Sequence, residues 1–254
     1  TETPKNDKLI LGDILISEIL FDPNKNGAEF VEVYNHSLVP ADLKQFSFGI
    51  EKDDFINKLY PLSATSYLLH PGQYVVLSKA PEKVQQQYQI QNPYAFLAMP
   101  NFPSLNNSAG KLVLLRQDGT RIDELEYAVG LHHAIIKNSK GVSLERTSFK
   151  GGSNSGSFRS ASARIGFATP GYVNSQYLDH QDHFAENFWL SSKTFSPNGD
   201  GFEDMLQLNY QFAEHPGPVT VNIYNERGSL VKELLNNQTL DTKGELLWDG
   251  LDHN

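Results

Sequence analysis

At 254 residues, with 39% hydrophobic and 11% aromatic content, the chain carries enough apolar mass for one large or two ordinary domains, which excludes a disordered tail. It contains no cysteine, which excludes disulfides and thiolate metal sites but leaves the compartment open. The net charge of −9 is uneven: residues 1–175 hold 17 Lys/Arg against 17 Asp/Glu, while residues 176–254 hold 4 against 13. Such a split points to two units, the second too acidic to suit nucleic acid, whose affinity comes mainly from phosphate neutralisation, and better suited to Ca²⁺. No apolar run approaches the roughly 20 residues of a membrane span.

Residues 1–8 are polar, the segment 1–9 is expected to be loose, and the start Thr1-Glu2-Thr3-Pro4 fits a mature or trimmed N-terminus. Two apolar runs, Ile14–Phe21 and Ala28–Tyr34, then flank Asp22-Pro23-Asn24-Lys25-Asn26-Gly27, nearly all turn formers. In the second run Phe30 and Tyr34 share one face and Val31 and Val33 the other, the period-2 pattern of a strand. A Pro-Gly turn at Pro71-Gly72 feeds the β-branched run that ends at Leu77. Pro81 opens a short helix over 81–88, with Val84 and Tyr88 on one face. Asp118-Gly119, between Leu112–Leu115 and Ile122–Tyr127, is a hairpin signal because that turn needs positive φ.

The order of these segments resembles the bacterial lamin-tail domain. The matching stretches are the opening Glu29-Phe30-Val31-Glu32-Val33-Tyr34-Asn35, Ala41–Phe48, Leu69–Leu77, Leu105–Tyr127, Ser143-Leu144-Glu145-Arg146, and Ala168-Thr169-Pro170-Gly171-Tyr172-Val173-Asn174. Gln45 stands where that family usually has Gly, and Phe158 stands in the region of a usual Trp. The resemblance covers roughly residues 10–175 and implies an immunoglobulin-like β-sandwich that binds or supports rather than catalyses.

Three positions invite chemistry. Glu18, Glu29 and Glu32 sit inside apolar runs, as a metal site or an acid/base pair would. The favoured reading is plainer: they alternate outward at a sheet edge or pair with a basic residue such as Arg146. His132-His133 and Asp179-His180-Gln181-Asp182-His183 read as solvated loop and linker. No H-E-x-x-H, G-x-S-x-G or P-loop occurs, and the Gly151–Ser157 run reads as a flexible loop, so an enzyme is not expected. Between 137 and 164, Lys137, Lys140, Lys150, Arg159 and Arg164 are candidates for holding a polyanion such as extracellular DNA or an acidic glycan, against the simpler reading of a surface loop.

Residues 176–187 read as a linker. Beyond it Leu206, Leu208, Tyr210 and Phe212 alternate, as do Val219, Val221 and Ile223. Phe195-Ser196-Pro197-Asn198-Gly199-Asp200-Gly201 through Asp204, together with Trp248-Asp249-Gly250-Leu251-Asp252, resembles the immunoglobulin-like module at the C-termini of gliding-motility-associated proteins, related to the hook-capping domain. In that family further strands follow, so the second sandwich is expected to be incomplete at its C-terminus, with strand edges able to pair with another chain. Asn198, Asp200, the Phe202 carbonyl and Asp204 are spaced as ligands of a Ca²⁺ loop, although Ser196 replaces the first Asp and Gln207 the bidentate Glu. The alternative is a turn whose carboxylate satisfies nearby backbone N–H groups. The chain is therefore read as all-β: two tandem immunoglobulin-like sandwiches, 10–175 and 188–254, of an extracellular or cell-surface protein. Its partner is expected to be a surface protein or glycan, with nucleic acid less favoured.

Overall fold

The structure, a computed structural model, describes residues 9–149, 157–178, 188–201, 203–225 and 229–252. Lys150, Phe202, His180, His183, residues 1–8, most of the Gly/Ser-rich run and most of the expected linker lie outside the described residues. The chain divides into two compact units: Thr1–Ala161 with Ile165–Asn174, and Ser162–Arg164 with Ser175–Asn254. No helix among the described residues is long and apolar enough to cross a membrane.

In the first unit the strands are β1 (Ile14–Leu20), β2 (Phe30–Asn35), β3 (Ala41–Asp42), β4 (Phe46–Lys52), β5 (Phe55–Pro61) and β6 (Leu68–Leu69). After these come β7 (Tyr74–Ser78), helix α1 (Pro81–Gln87), β8 (Phe96–Ala98), β9 (Ala109–Arg116), β10 (Arg121–Ala128), β11 (Leu144–Arg146) and β12 (Phe158–Ser160). They form a six-stranded sheet in the order β12-β11-β1-β2-β7-β8 and a four-stranded sheet in the order β10-β9-β4-β5. The all-β sandwich expected from the sequence is what the chain forms.

Alternation explains the core between the two sheets. Ile14, Ile16, Ile19, Val31, Val33, Val75 and Leu77 come from one sheet, and Phe46, Phe48, Leu112, Leu114, Leu125 and Tyr127 from the other. The reverse face of the six-stranded sheet is also apolar: Leu20, Phe30 and Val76 are covered by Val84 of α1, Tyr88 and Ala168. That sheet is thus buried on both sides, which is why β1 shows no exposed residue at all. Gly119 takes φ +85 in the β9–β10 hairpin, as its turn requires.

The second unit contains β13 (Phe188–Leu190), β14 (Leu206–Gln211), β15 (Pro218–Tyr224), β16 (Leu230–Thr239) and β17 (Lys243–Trp248). They make a three-stranded sheet, β13-β14-β17, and a β15-β16 hairpin. Tyr210, Leu235, Leu240 and Leu246 form its small core, with Leu208, Phe212, Val219 and Val221 packed against it. Gln176 donates to the Leu240 carbonyl at 2.8 Å, and the Tyr177 carbonyl accepts from Thr242 Oγ1 at 2.6 Å, so these residues are part of this unit.

Candidate functional site

The chemistry-bearing residues of the first unit converge on β1. Strand period alone would place Glu18 on the face of Ile14 and Ile16. A register shift between Ile16 and Glu18 in the β1–β2 ladder inserts one extra residue, Ser17. Beyond this bulge Ile19 returns to the inter-sheet core, while Glu18 and Leu20 face the other way. Glu18 then stands opposite Glu32 of β2 on one side and opposite Glu145 of β11 on the other. Glu145 in turn faces Arg159 of β12, and Glu32 faces Val76 of β7. One cross-strand row therefore reads Arg159, Glu145, Glu18, Glu32, Val76.

The expectation that Glu18, Glu29 and Glu32 alternate outward is corrected here for Glu18 and Glu32, which, like their neighbour Glu145, are 0% exposed. The bulge and the cover over the reverse face are the physical reasons. Glu29 does not join them; it is half-buried, and burial pushes its carboxyl up to about 7 against a hydrogen bond from the Leu105 backbone. Nor is Arg146 a partner of the row. Its guanidinium lies 2.5 Å from Asp123 of β10, donates through Nε to the Ile16 carbonyl at 2.7 Å, and stacks 4.9 Å from the Phe158 ring.

The row is roofed by the segments read in sequence as the closing motifs. Ser143 Oγ and the Thr169 N–H both donate to Glu18 Oε1, the latter at 3.0 Å. Thr169 Oγ1 donates to Glu145 Oε1 at 2.7 Å, and the Gly171 N–H donates to Glu32 Oε2 at 2.6 Å. Asn174 fixes the bulge itself: its Nδ2 donates to the carbonyls of Ser17, at 3.0 Å, and Arg146, at 2.9 Å.

Burial raises the Glu18 and Glu32 carboxyls well above the ordinary carboxylate range, and their neighbours' charges, Glu145 on Glu18 and Glu18 on Glu32, push the same way. The hydrogen bonds from Ser143 and Thr169 to Glu18, and from Gly171 and the Ser17 side chain to Glu32, only partly offset this. Tyr88, whose hydroxyl donates to the Gly141 carbonyl at 2.9 Å, is raised by burial and by Glu18. No group of three or more His, Cys, Asp or Glu among the described residues is arranged to hold a metal ion. The cluster is chemically unusual yet sealed from substrate.

The remaining candidates are scattered. Lys137 and Arg159 are exposed, and Lys140 reaches Asp22 at 2.8 Å. Arg164 belongs to the second unit, where it lies 3.5 Å from Asp241 and donates to the Glu245 carbonyl. His132 is a packed residue rather than a solvated one: its ring lies tilted 5.7 Å from that of Phe21, its Nδ1 lies 3.1 Å from Ser160 Oγ, and burial lowers it to about 4. In the second unit Asn198, Asp200 and Asp204 do share one loop. Asp204 accepts from the backbone N–H of Gly199 at 2.7 Å and of Gly201 at 2.8 Å, and Asn198 Oδ1 accepts from the Asp200 N–H at 3.0 Å.

Sequence reasoning places Asp123, Ser143, Thr169, Gly171 and Asn174 in motifs but gives them no role. The available signal is that each is a small or polar residue inside an otherwise apolar context. No curated protein matches the chain. Residues 11–128 match the model of the Lamin Tail Domain family, an immunoglobulin-like and generally non-catalytic module, so this stretch, with Glu18, Glu32 and Asp123 inside it, is similar to a structural or interaction module.

Proposed function

We propose that the chain is a non-catalytic adhesion and structural module of a large exported bacterial surface protein, acting outside the cell or at its surface on a protein or glycan. The observation that carries this reading is the sealed row: Glu18, Glu32 and Glu145, a group that would suit an enzyme, have no exposed surface and are bonded instead to Ser143, Thr169 and Gly171. What the unit presents outward is sheet edge. β5 lies at the end of its sheet, with Phe55 70% and Leu59 44% exposed, and suits pairing with a strand of another chain.

The second unit is proposed to be a module of the gliding-motility-associated type, linked to secretion or surface attachment. Its two motif ends pack together: Phe195 lies 5.4 Å from Trp248, and a Cβ on Gly250 would meet Pro197 at 3.0 Å. Beads coated with the full chain should attach to bacterial cell surfaces more than uncoated beads do, also at high salt, and Phe55→Lys with Leu59→Lys should lower attachment. Attachment no better than uncoated beads would remove this reading. The exposed Lys137 and Arg159 support polyanion binding as the second reading, which instead predicts retention on heparin or single-stranded DNA that falls steeply as salt rises.

A further inference from the structure

Glu18 accepts through one carboxyl oxygen from Ser143 and Thr169, and Glu32 accepts through one from Gly171, with the Ser17 hydroxyl also beside its carboxyl. The other oxygen of each, Glu18 Oε2 and Glu32 Oε1, is buried and has no hydrogen-bond partner among the described residues. Two ionised carboxylates directly opposite each other on adjacent strands repel, and a buried oxygen left unmatched adds a desolvation cost. A single proton removes both penalties, because a carboxylic acid donates where a carboxylate only accepts.

We propose that Glu18 and Glu32 hold one proton in common through these two oxygens, so that the six-stranded sheet is locked by a proton and loosens as pH rises. The groups facing the pair are Glu145 from β11, Arg159 at the rim on β12, and Tyr88 beyond α1; β7 presents Val76 and the 165–174 segment presents Thr169 and Gly171. Of these only Arg159 is cationic, and it is exposed at the far end of the row. The raised carboxyls of both residues agree with this arrangement. An unfolded chain releases the proton above about pH 4.3, whereas the folded sheet keeps it, so opening releases one proton. The sheet is then tightest in acid, and the opening constant grows about tenfold per pH unit for that proton until the folded pair itself titrates.

The test uses the full chain and Glu32→Gln. The amide oxygen introduced by this substitution would keep the bond from Gly171, and the amide NH₂ would donate to Glu18 in place of the proton. Hydrogen exchange of peptides covering 14–20 and 30–35, with the intrinsic base-catalysed rate divided out, gives the opening constant between pH 5 and 7. Its pH slope in the wild type should exceed that in Glu32→Gln by about a factor of ten per unit. Infrared spectra at neutral pH should show a protonated carboxylic acid carbonyl in the wild type that Glu32→Gln removes. Equal slopes, or a folded wild type whose carboxylic acid band the substitution leaves unchanged, would overturn the proposal. Should Glu32→Gln fail to fold, Glu18→Gln, which conserves the acceptor for Ser143 and Thr169, takes its place under the same criteria.

Discussion

Arg146 and Asp123 meet at 2.5 Å and together hold the backbone N–H and C=O of one residue, Ile16. Asp123 Oδ2 accepts the Ile16 N–H at 2.7 Å, and Arg146 Nε donates to the Ile16 carbonyl. Ile16 is the last residue before the bulge and still faces Val33 of β2, but the β1–β11 pairing reaches only as far as Glu18, so this pair serves the backbone groups that β11 does not. The ion pair thereby supports the geometry that turns Glu18 away from the core between the sheets.

Removing one partner should be costly, because the other charge is left buried without its counterpart. Asp123→Ala is expected to destabilise the first unit by about 3–5 kcal/mol, and the double change Asp123→Leu with Arg146→Met by less than the sum of the single changes. Both tryptophans, Trp189 and Trp248, lie in the second unit, so tryptophan fluorescence should stay put while circular dichroism reports the loss. A loss below about 1 kcal/mol for Asp123→Ala would mean that the pair does not hold the bulge.

Gly171 offers a backbone test of the roof. Its φ is +92, its N–H serves Glu32, and a Cβ there would come within 3.2 Å of both the Ala95 Cβ and the Asn92 carbonyl oxygen. Gly171→Ala should cost about 1–2 kcal/mol from the left-handed conformation alone, with crowding added. Gly130→Ala, at an ordinary φ with nothing within 4 Å of the new methyl, should stay within about 0.5 kcal/mol. Equal melting of the two variants would refute the assignment of Gly171 to the roof.

Periodicity reveals much of this sandwich. The faces of Phe30, Val31 and Val33, the hairpin at Asp118-Gly119 and the short helix with Val84 and Tyr88 inward all follow from local rules. The site does not follow from them. A one-residue bulge at Ser17 inverts the side to which Glu18 points, and no composition rule marks a bulge. The cover over the carboxylates comes from Ser143, Thr169 and Gly171, more than a hundred residues downstream of Glu18, so the environment that converts apparently outward acids into a sealed row is wholly non-local. Arg146 is the chain neighbour of Glu145, which makes it a natural partner for acids on paper. Strand alternation points it to the opposite face from Glu145, and there it meets Asp123 instead.

The basic residues 137–164 should separate by unit. Arg159 is exposed on the edge strand β12, so Arg159→Glu should weaken any low-salt retention on heparin. Arg164 is bonded to Asp241 and lies 5.9 Å from the Tyr210 ring, so Arg164→Glu should instead lower the tryptophan-detected melting of the second unit. Heparin retention lost equally in both variants, with melting unchanged, would show that Arg164 belongs to a binding face after all.

The Ser196–Asp204 stretch has two readings, a cation site and a turn, and melting separates them. The Asp204 carboxylate is held below its ordinary range by backbone N–H groups, those of Gly199 and Gly201 first and those of Asn198 and Asp200 after them. A cavity lined by convergent N–H dipoles favours an anion, and here the anion is supplied by the chain itself. A Ca²⁺ ion placed on Asp204 would face the positive ends of those dipoles. The tryptophan-detected transition is therefore expected to be the same in millimolar Ca²⁺ and in chelator, and Asp204→Ala should lower it equally in both. The pH dependence has a definite sign: a depressed carboxyl stabilises the folded unit above its unfolded pKa, and that contribution disappears as pH falls through the folded one. Acid titration should accordingly lower the wild-type transition more than that of Asp204→Ala. A Ca²⁺-dependent rise in melting that Asp200→Ala removes would instead restore Asn198, Asp200 and Asp204 as metal ligands, by mass action on the folded form.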